Sequence, residues 1–234
     1  PAGFAWLYGG LLPHLDPRRP LYGIQAPQLT GEDFAPATIQ DLGRAYADRI
    51  AAVQPAGPYH LFGWSFGGQV AYAIATALRE RGQEVAFLGV LDTFPMDAEE
   101  EPSRTPEELD ELSRAETEEF LQGLRESAGV LADFDDATVR AIATVHRACM
   151  DLLLGADYAR YDGDLFVVTA TKDRVETGDH LQWAAHVDGA IVNHDVDFTH
   201  AELLTPRALT VIGPIVNRTL NEIQTAKPSQ ENPR

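Results

Sequence analysis

The stretch 59–68, YHLFGWSFGG, predicts a short strand, a sharp turn and the start of a helix. Its centre matches the pattern G-x-S-x-G around Ser65. In a strand-turn-helix context this pattern is typical of a nucleophile elbow, a strained turn that exposes the serine hydroxyl at the edge of a sheet. A side chain at either glycine would collide with the turn. We therefore interpret Ser65 as a candidate nucleophile. The elbow residues around it are Gly63, Trp64, Gly67 and Gly68.

The rest of the chain alternates between apolar runs and helical periodicities, as expected of an α/β protein with a mostly parallel sheet. The predicted strands are 59–62, 85–91, 165–170 and 190–196, and the predicted flanking helices are 66–81 and 209–220. We expect Gly213-Pro214 to kink the last helix. The sequence predicts one domain over 1–224, followed by a disordered tail at 225–234.

An acidic segment interrupts this alternation between the second and third predicted strands. Residues 97–140 carry fifteen acidic and four basic side chains. The segment contains two helical patterns, at 115–127 and 136–154. Helices inserted between two strands often cover a binding cleft. We therefore expect a helical lid over about 97–158, although such an insertion can also be a solvated decoration.

Composition limits the possible partners. The 234 residues include 36 acidic and 18 basic side chains, which gives a formal net charge of −18. Such a surface repels phosphate backbones and anionic membranes, so we expect no nucleic-acid or membrane partner. The single cysteine, Cys149, excludes an internal disulfide and a cysteine-based zinc site, and we expect no metal site. Without an initiator Met or a visible signal peptide, the sequence predicts a cytoplasmic domain cut from a longer chain.

A serine nucleophile needs a general base, and His200 is the strongest candidate among seven histidines. Hydrolases with this elbow place the histidine last in chain order, after serine and acid. His200 follows the last predicted strand. The loop after that strand lies at the carboxyl edge of the sheet, where the elbow also emerges.

Two aspartates could orient this histidine, and each follows a predicted strand. Asp92 ends an apolar run, so we expect it to be buried, as the partner of an imidazolium should be. Asp173 lies between Lys172 and Arg174, a pattern typical of a solvated turn. These observations favour Asp92 only modestly.

Five segments carry a family resemblance: FAW at 4–6, YGIQAP at 22–27, GWSFGG at 63–68, FLGVLDTFP at 87–95 and IGPIVNRTL at 212–220. Together they resemble the thioesterase domains that end nonribosomal peptide synthetases, in particular releasing domains of the enterobactin synthase type. The likeness spans nearly the whole chain except the acidic insertion. It implies an α/β-hydrolase fold, with a mostly parallel central sheet flanked by helices and a helical lid insertion.

The resemblance also implies site residues. It selects Asp92 as the acid of a Ser65, Asp92 and His200 triad. It implies an oxyanion hole formed by the backbone N–H groups of Phe66 and Ala2. The sequence departs from the family near Ala2, because the family usually has one more small residue after the proline.

The function implied is release of an acyl or peptidyl chain, by hydrolysis or macrocyclisation. The domain would bind no cofactor itself, and the substrate would arrive on the 4'-phosphopantetheine of an upstream peptidyl or acyl carrier protein. We expect that carrier to dock near Arg18 and Arg19, away from the acidic segment. Alternatives are a free-standing type II editing thioesterase, an unrelated peptide or ester hydrolase, and a non-catalytic scaffold that recruits a basic partner.

Overall fold

A single parallel sheet organises the protein. The computed structural model describes residues 3–95, 105–126, 136–154, 156–172, 174 and 178–226. The four strands of the sheet are β1 (Tyr59–Trp64), β2 (Val85–Leu91), β3 (Leu165–Ala170) and β4 (Ile191–Val196), in that order. The central strands β2 and β3 are hydrogen-bonded neighbours, with Val90 opposite Val167. The elbow therefore follows β1, one strand away from the loop that carries Asp92.

Five α-helices accompany the sheet: α1 (Ile39–Val53), α2 (Phe66–Glu80), α3 (Pro106–Glu126), α4 (Asp136–Leu154) and α5 (Pro206–Ala226). The predicted strands are confirmed to within two residues at each end, and the predicted helices are confirmed as well, although α3 and α5 are longer than predicted. Helix α5 runs on through Pro214 and includes the first two residues of the predicted tail, while 227–234 lie outside the described residues. Within the described residues, no helix combines the length and the apolar character that a membrane span requires.

The alternation of side chains along β2 and β3 explains why helices cover both faces of the sheet. Leu88, Val90 and Val167 point into a core shared with α1, α2 and α4. Their neighbours along the strands point into a second core, shared with α5. These neighbours are Phe87, Leu91, Phe166 and Val168. Successive side chains of a strand face opposite sides, so strands buried on both faces read as continuous apolar runs.

Helix α3 begins earlier than the predicted start at residue 115. Thr105 and Glu108 form a capping box: the Thr105 backbone N–H donates to Glu108 Oε2 at 2.6 Å, and the Glu108 N–H donates to Thr105 Oγ1 at 3.3 Å. Pro106 is the first helical residue, a position where its missing N–H has no cost. The sequence T-P-E-E at 105–108 therefore contains the pattern of a helix N-terminus. The prediction missed it because the many acidic residues around it favoured a loop.

A buried polar cluster joins α3 to α4. Ser113, Thr117 and His146 are each at most 9% exposed. Thr117 Oγ1 donates to the backbone oxygen of Ser113 at 2.8 Å and lies 3.0 Å from His146 Nδ1. Because the Thr117 hydroxyl hydrogen is committed to Ser113, His146 Nδ1 must be the donor in this pair. The two helices thus hold a neutral histidine between them.

Acid should weaken this part of the fold through His146. Burial lowers the pKa of His146 from 6.5 to about 4. Between these two pH values the histidine is protonated in the unfolded chain and neutral in the folded chain. Stability from this site is therefore present above pH 6.5 and is lost as the pH falls towards 4. We compare the free energies of unfolding of the wild type and His146→Gln in urea. The amount by which the wild type is more stable should decrease by about 2 kcal/mol when the pH is lowered from about 7.5 to about 5. A pH-independent difference between the two proteins would contradict this assignment.

Candidate functional site

The turn at Ser65 has the strained geometry expected of a nucleophile elbow. Ser65 has φ 55° and ψ −130°, a conformation that L-residues rarely adopt, and α2 begins at the next residue. A Cβ at Gly63 would lie 2.0 Å from the backbone oxygen of Gly67. A Cβ at Gly68 would lie 2.2 Å from Thr93 Oγ1. Position 63 therefore requires glycine because the backbone of the turn passes close to it, and position 68 requires glycine because the Thr93 side chain packs against it.

Tyr8 supports the elbow from the N-terminal segment. Its Oη accepts the backbone N–H of Trp64 at 3.0 Å, and a Cβ at Gly67 would come within 2.6 Å of the same oxygen. Burial raises the pKa of Tyr8 above its ordinary value, so this hydroxyl is neutral. The tyrosine thus fixes the residue that precedes the nucleophile.

Asp92 lies in the loop directly after β2, and its carboxylate has no exposed surface. Its backbone has φ 46°, in the left-handed region that aspartate tolerates better than most residues. Oδ1 accepts the backbone N–H of Ala170 at 3.0 Å, and Oδ2 lies 2.7 Å from His200 Nδ1. Both oxygens are therefore held in place, one by β3 and one by the histidine.

The two residues after Asp92 are anchored from several sides. Thr93 Oγ1 donates to the backbone oxygens of Ser65, at 3.0 Å, and Leu91, at 2.9 Å. The indole N–H of Trp183 donates to the Thr93 backbone oxygen at 2.8 Å, and Gln69 Nε2 donates to that of Phe94 at 2.5 Å. Thr93 thus connects the loop of the acid to the turn of the nucleophile.

His200 begins a short 3-10 helix, His200–Glu202, after β4. A capping box between Thr199 and Glu202 fixes this helix. The His200 ring lies 5.2 Å from the Trp64 ring, centroid to centroid, and its side chain is 45% exposed. Nδ1 faces Asp92, so Nε2 is the ring nitrogen on the opposite side. The structure thus brings Asp92 and His200 together beside the residue that precedes Ser65.

Arg174 is a part of this site that the sequence analysis did not identify. Its Nη2 lies 2.7 Å from Asp92 Oδ2, the oxygen that also contacts His200. The pattern Lys172, Asp173, Arg174 indicated a solvated turn, and no local signal linked it to a residue 82 positions away. Only the pairing of β2 with β3 brings the two loops together.

The structure describes some of the remaining predicted site residues and not others. Phe66 is the first residue of α2, next to Ser65, where the helix N-terminus favours developing negative charge. Ala2, the second predicted oxyanion donor, and Asp173, the alternative acid, lie outside the described residues. Helices α3 and α4 lie between β2 and β3 in the chain, inside the predicted lid boundaries.

An apolar cavity of about 2040 Å³ includes Ser65 in its lining. Phe66 and Val70 of α2 and Val145 and Cys149 of α4 contribute to its wall. Burial raises the pKa of Cys149 to about 12, which keeps the thiol protonated and a weak nucleophile. Cys149 is 8% exposed and packs in the core with residues of α1 and α2.

Comparison with known proteins identifies the family of the chain. The chain matches the family model described as "Thioesterase domain" over residues 1–218. It is 33% identical to enterobactin synthase component F of Escherichia coli K12 over 233 residues, and 33% identical to vanchrobactin synthetase VabF of Vibrio anguillarum over 223 residues. Each alignment covers 94% of this chain but only 17% and 8% of the respective relatives, so the chain corresponds to a small part of each.

Solved structures extend the comparison to the fold. The NocB thioesterase domain superposes with a TM-score of 0.71 at 22% identity, covering 94% of this chain and 90% of that one. The surfactin-cyclising domain SrfTE superposes with a TM-score of 0.70 at 22% identity, covering 94% and 87%. These likenesses confirm the α/β-hydrolase fold predicted from the sequence. The match to the family model over 218 residues shows that this chain belongs to the thioesterase domain family.

Proposed function

We propose that this domain takes an acyl or peptidyl chain from the phosphopantetheine thioester of a carrier protein onto Ser65 and then releases it. The observation that supports this most directly is the contact between His200 Nδ1 and Asp92 Oδ2 at 2.7 Å, next to the strained turn that presents Ser65. An oriented base beside an elbow serine is the arrangement that acyl transfer requires. The membership of the thioesterase family supplies the thioester as the bond attacked.

In the first half of the reaction, His200 Nε2 removes the Ser65 hydroxyl proton while Ser65 Oγ attacks the thioester carbonyl. The Asp92 carboxylate holds the Nδ1–H of the resulting imidazolium. The backbone N–H of Phe66, at the start of α2, would stabilise the oxyanion, with Ala2 as the proposed second donor. When the C–S bond breaks, the imidazolium returns its proton to the leaving thiolate, so the pantetheine thiol departs and an ester on Ser65 remains.

In the second half, His200 activates another nucleophile against this ester. Water gives the free acid, whereas an amine or hydroxyl of the same chain gives a macrocycle. Helices α3 and α4, the proposed lid, would favour the macrocycle if they exclude water, since a tethered nucleophile has a high effective concentration. The apolar cavity wall from α2 and α4 suits an apolar stretch of the acyl chain.

The upstream carrier protein is the proposed partner, because the relatives are parts of multidomain synthetases. The sequence analysis placed its docking near Arg18 and Arg19. In the structure Arg18 pairs with Asp16 at 2.7 Å, and Arg19 bonds to Gln224 of α5 at 3.1 Å. Docking at this place stays a prediction, as does the cytoplasmic location.

Intact-protein mass spectrometry tests the proposal directly. The protein is exposed to a peptidyl-pantetheine thioester, and adduct and released product are weighed in the same run. We expect a transient adduct that peptide mapping assigns to Ser65. A product lighter than the free acid by one water indicates cyclisation, and the acid itself indicates hydrolysis.

The same experiment separates the alternatives. Turnover restricted to short acyl chains on carrier proteins would favour an editing thioesterase. Turnover of simple esters without any preference for pantetheine thioesters would favour an unrelated hydrolase. Folded protein that neither turns over a thioester nor reacts with a fluorophosphonate at Ser65 would leave the scaffold interpretation.

A further inference from the structure

We propose that Arg174 is a positioning residue that holds the Asp92 carboxylate in the orientation that His200 requires. The inference rests on the proposed function, since it assigns Asp92 and His200 to one catalytic unit. It concerns a residue from the loop after β3, a loop that supplies neither the nucleophile nor the base.

Arg174 connects the acid to two further groups. Its Nη2 lies 2.7 Å from Asp92 Oδ2, and its Nη1 lies 2.5 Å from Asp179 Oδ2. Its guanidinium carbon lies 5.2 Å from the centre of the Phe94 ring, which adds a cation–π contact. The side chain is 28% exposed. A planar guanidinium held by two carboxylates and a ring has little freedom to leave Asp92.

The need for this cation follows from the burial of Asp92. Before Ser65 attacks the thioester, His200 acts as a neutral base, and the fully buried Asp92 carboxylate would then lack a charged partner without Arg174. An uncompensated buried charge is strongly destabilising. Arg174 supplies the countercharge in every state of the cycle. With the Ala170 N–H on Oδ1, it fixes both carboxylate oxygens independently of the proton on His200.

Besides orienting Asp92, Arg174 places a positive charge close to His200, and this second effect can be measured separately. Its positive charge lies against Asp92 Oδ2, the oxygen that also faces His200 Nδ1, so the guanidinium and an imidazolium share one anionic partner. Other charged groups around the pair are already neutralised in part: Asp179 by Arg174 itself, and Glu202 by Lys172 at 3.3 Å. Loss of Arg174 should therefore misplace the carboxylate and, separately, make the histidine easier to protonate.

The test compares Arg174→Met with Arg174→Lys and with a matched control. Arg79→Met is the control, because Arg79 forms a similar two-bond pair with Asp162 and is 33% exposed, but belongs to the far end of α2. For each protein, kcat and KM are measured with a pantetheine thioester. The rate of Ser65 labelling by a fluorophosphonate is followed between about pH 5 and about pH 9. Thermal unfolding checks that each variant is folded.

For Arg174→Met we expect kcat to fall by about tenfold to a hundredfold with little change in KM, the size of effect that small misplacements of catalytic groups produce. We also expect the acid limb of the labelling rate to move upward by about one pH unit, because a nearby cation has been removed. Arg174→Lys should restore the position of the acid limb and recover part of kcat. Arg79→Met should match the wild type in both.

Two results would overturn the proposal. One is wild-type kcat and an unmoved acid limb in folded Arg174→Met. The other is a loss of kcat with an unmoved acid limb that Arg174→Lys does not improve, which would indicate a purely structural loop contact. Failure of the proposed function is distinguishable, because the wild-type protein itself would then show neither turnover nor labelling.

Discussion

Replacing Ser65 by alanine should abolish the acyl-enzyme and lower kcat by about a millionfold, the effect that loss of a triad serine has in other hydrolases. The thiol of Cys149, which lines the same cavity, cannot take its place, because it is buried and protonated at neutral pH. Since alanine keeps the Cβ of serine, the backbone at φ 55° is no more strained in the variant than in the wild type. We therefore expect an unchanged melting temperature together with complete loss of the mass adduct.

Ser113→Ala is the matched control, because it removes another serine hydroxyl, here from the buried contact between α3 and α4. That protein should still form the adduct at Ser65. Persistent serine-linked adducts in Ser65→Ala would refute the assignment of the nucleophile.

Asp92→Asn should have the second largest effect, a loss of about ten-thousandfold in kcat, as in a related triad where the wrong histidine tautomer results. The reason lies in the donors around the side chain. If the amide oxygen stays on the Ala170 N–H, the amide NH₂ faces His200 and Arg174, and both present hydrogens to it. The imidazole must then turn an unprotonated Nδ1 towards the amide. The ring proton then lies on Nε2. A protonated Nε2 can no longer accept the proton of the Ser65 hydroxyl.

Rotating the amide does not rescue the variant, because its NH₂ group then faces the Ala170 N–H. The crowding of donors around the amide should also lower stability, by about 1–3 kcal/mol, while Arg174 keeps its ion pair with Asp179. Kinetics with a pantetheine thioester and thermal unfolding measure the two effects separately. Asp162→Asn, in the exposed pair with Arg79, is the control and should retain full activity. Near-normal turnover in folded Asp92→Asn would rule out Asp92 as the orienting acid.

Much of this site could be predicted because its signals are local. The glycine at 63 follows from close backbone approach at the turn, and the apolar run before Asp92 indicates a buried strand end. Chain order together with the position of His200 after the last strand, at the carboxyl edge of the sheet, favoured His200 among the histidines. Arg174 could not be predicted in this way, since its role depends on a contact between loops that only the sheet brings together. The early start of α3 had a local signal, the capping box at Thr105, but a run of like charges resembles a loop when composition alone is considered.

The position of α3 and α4 in the chain has a consequence for how such domains diversify. Both helices are inserted between β2 and β3, which are adjacent in the sheet, so the insertion leaves and rejoins the fold at neighbouring strands. The register of β2 against β3, with Leu91 opposite Val168, is set by the strands themselves. The positions of Asp92 and Ser65 therefore follow from the strands, whereas the buried face of α4, with Val145, Cys149 and Leu152, is part of the core shared with α1 and α2. An insertion grafted from a relative must keep this buried face if it is to alter which chains are released without disturbing the chemistry.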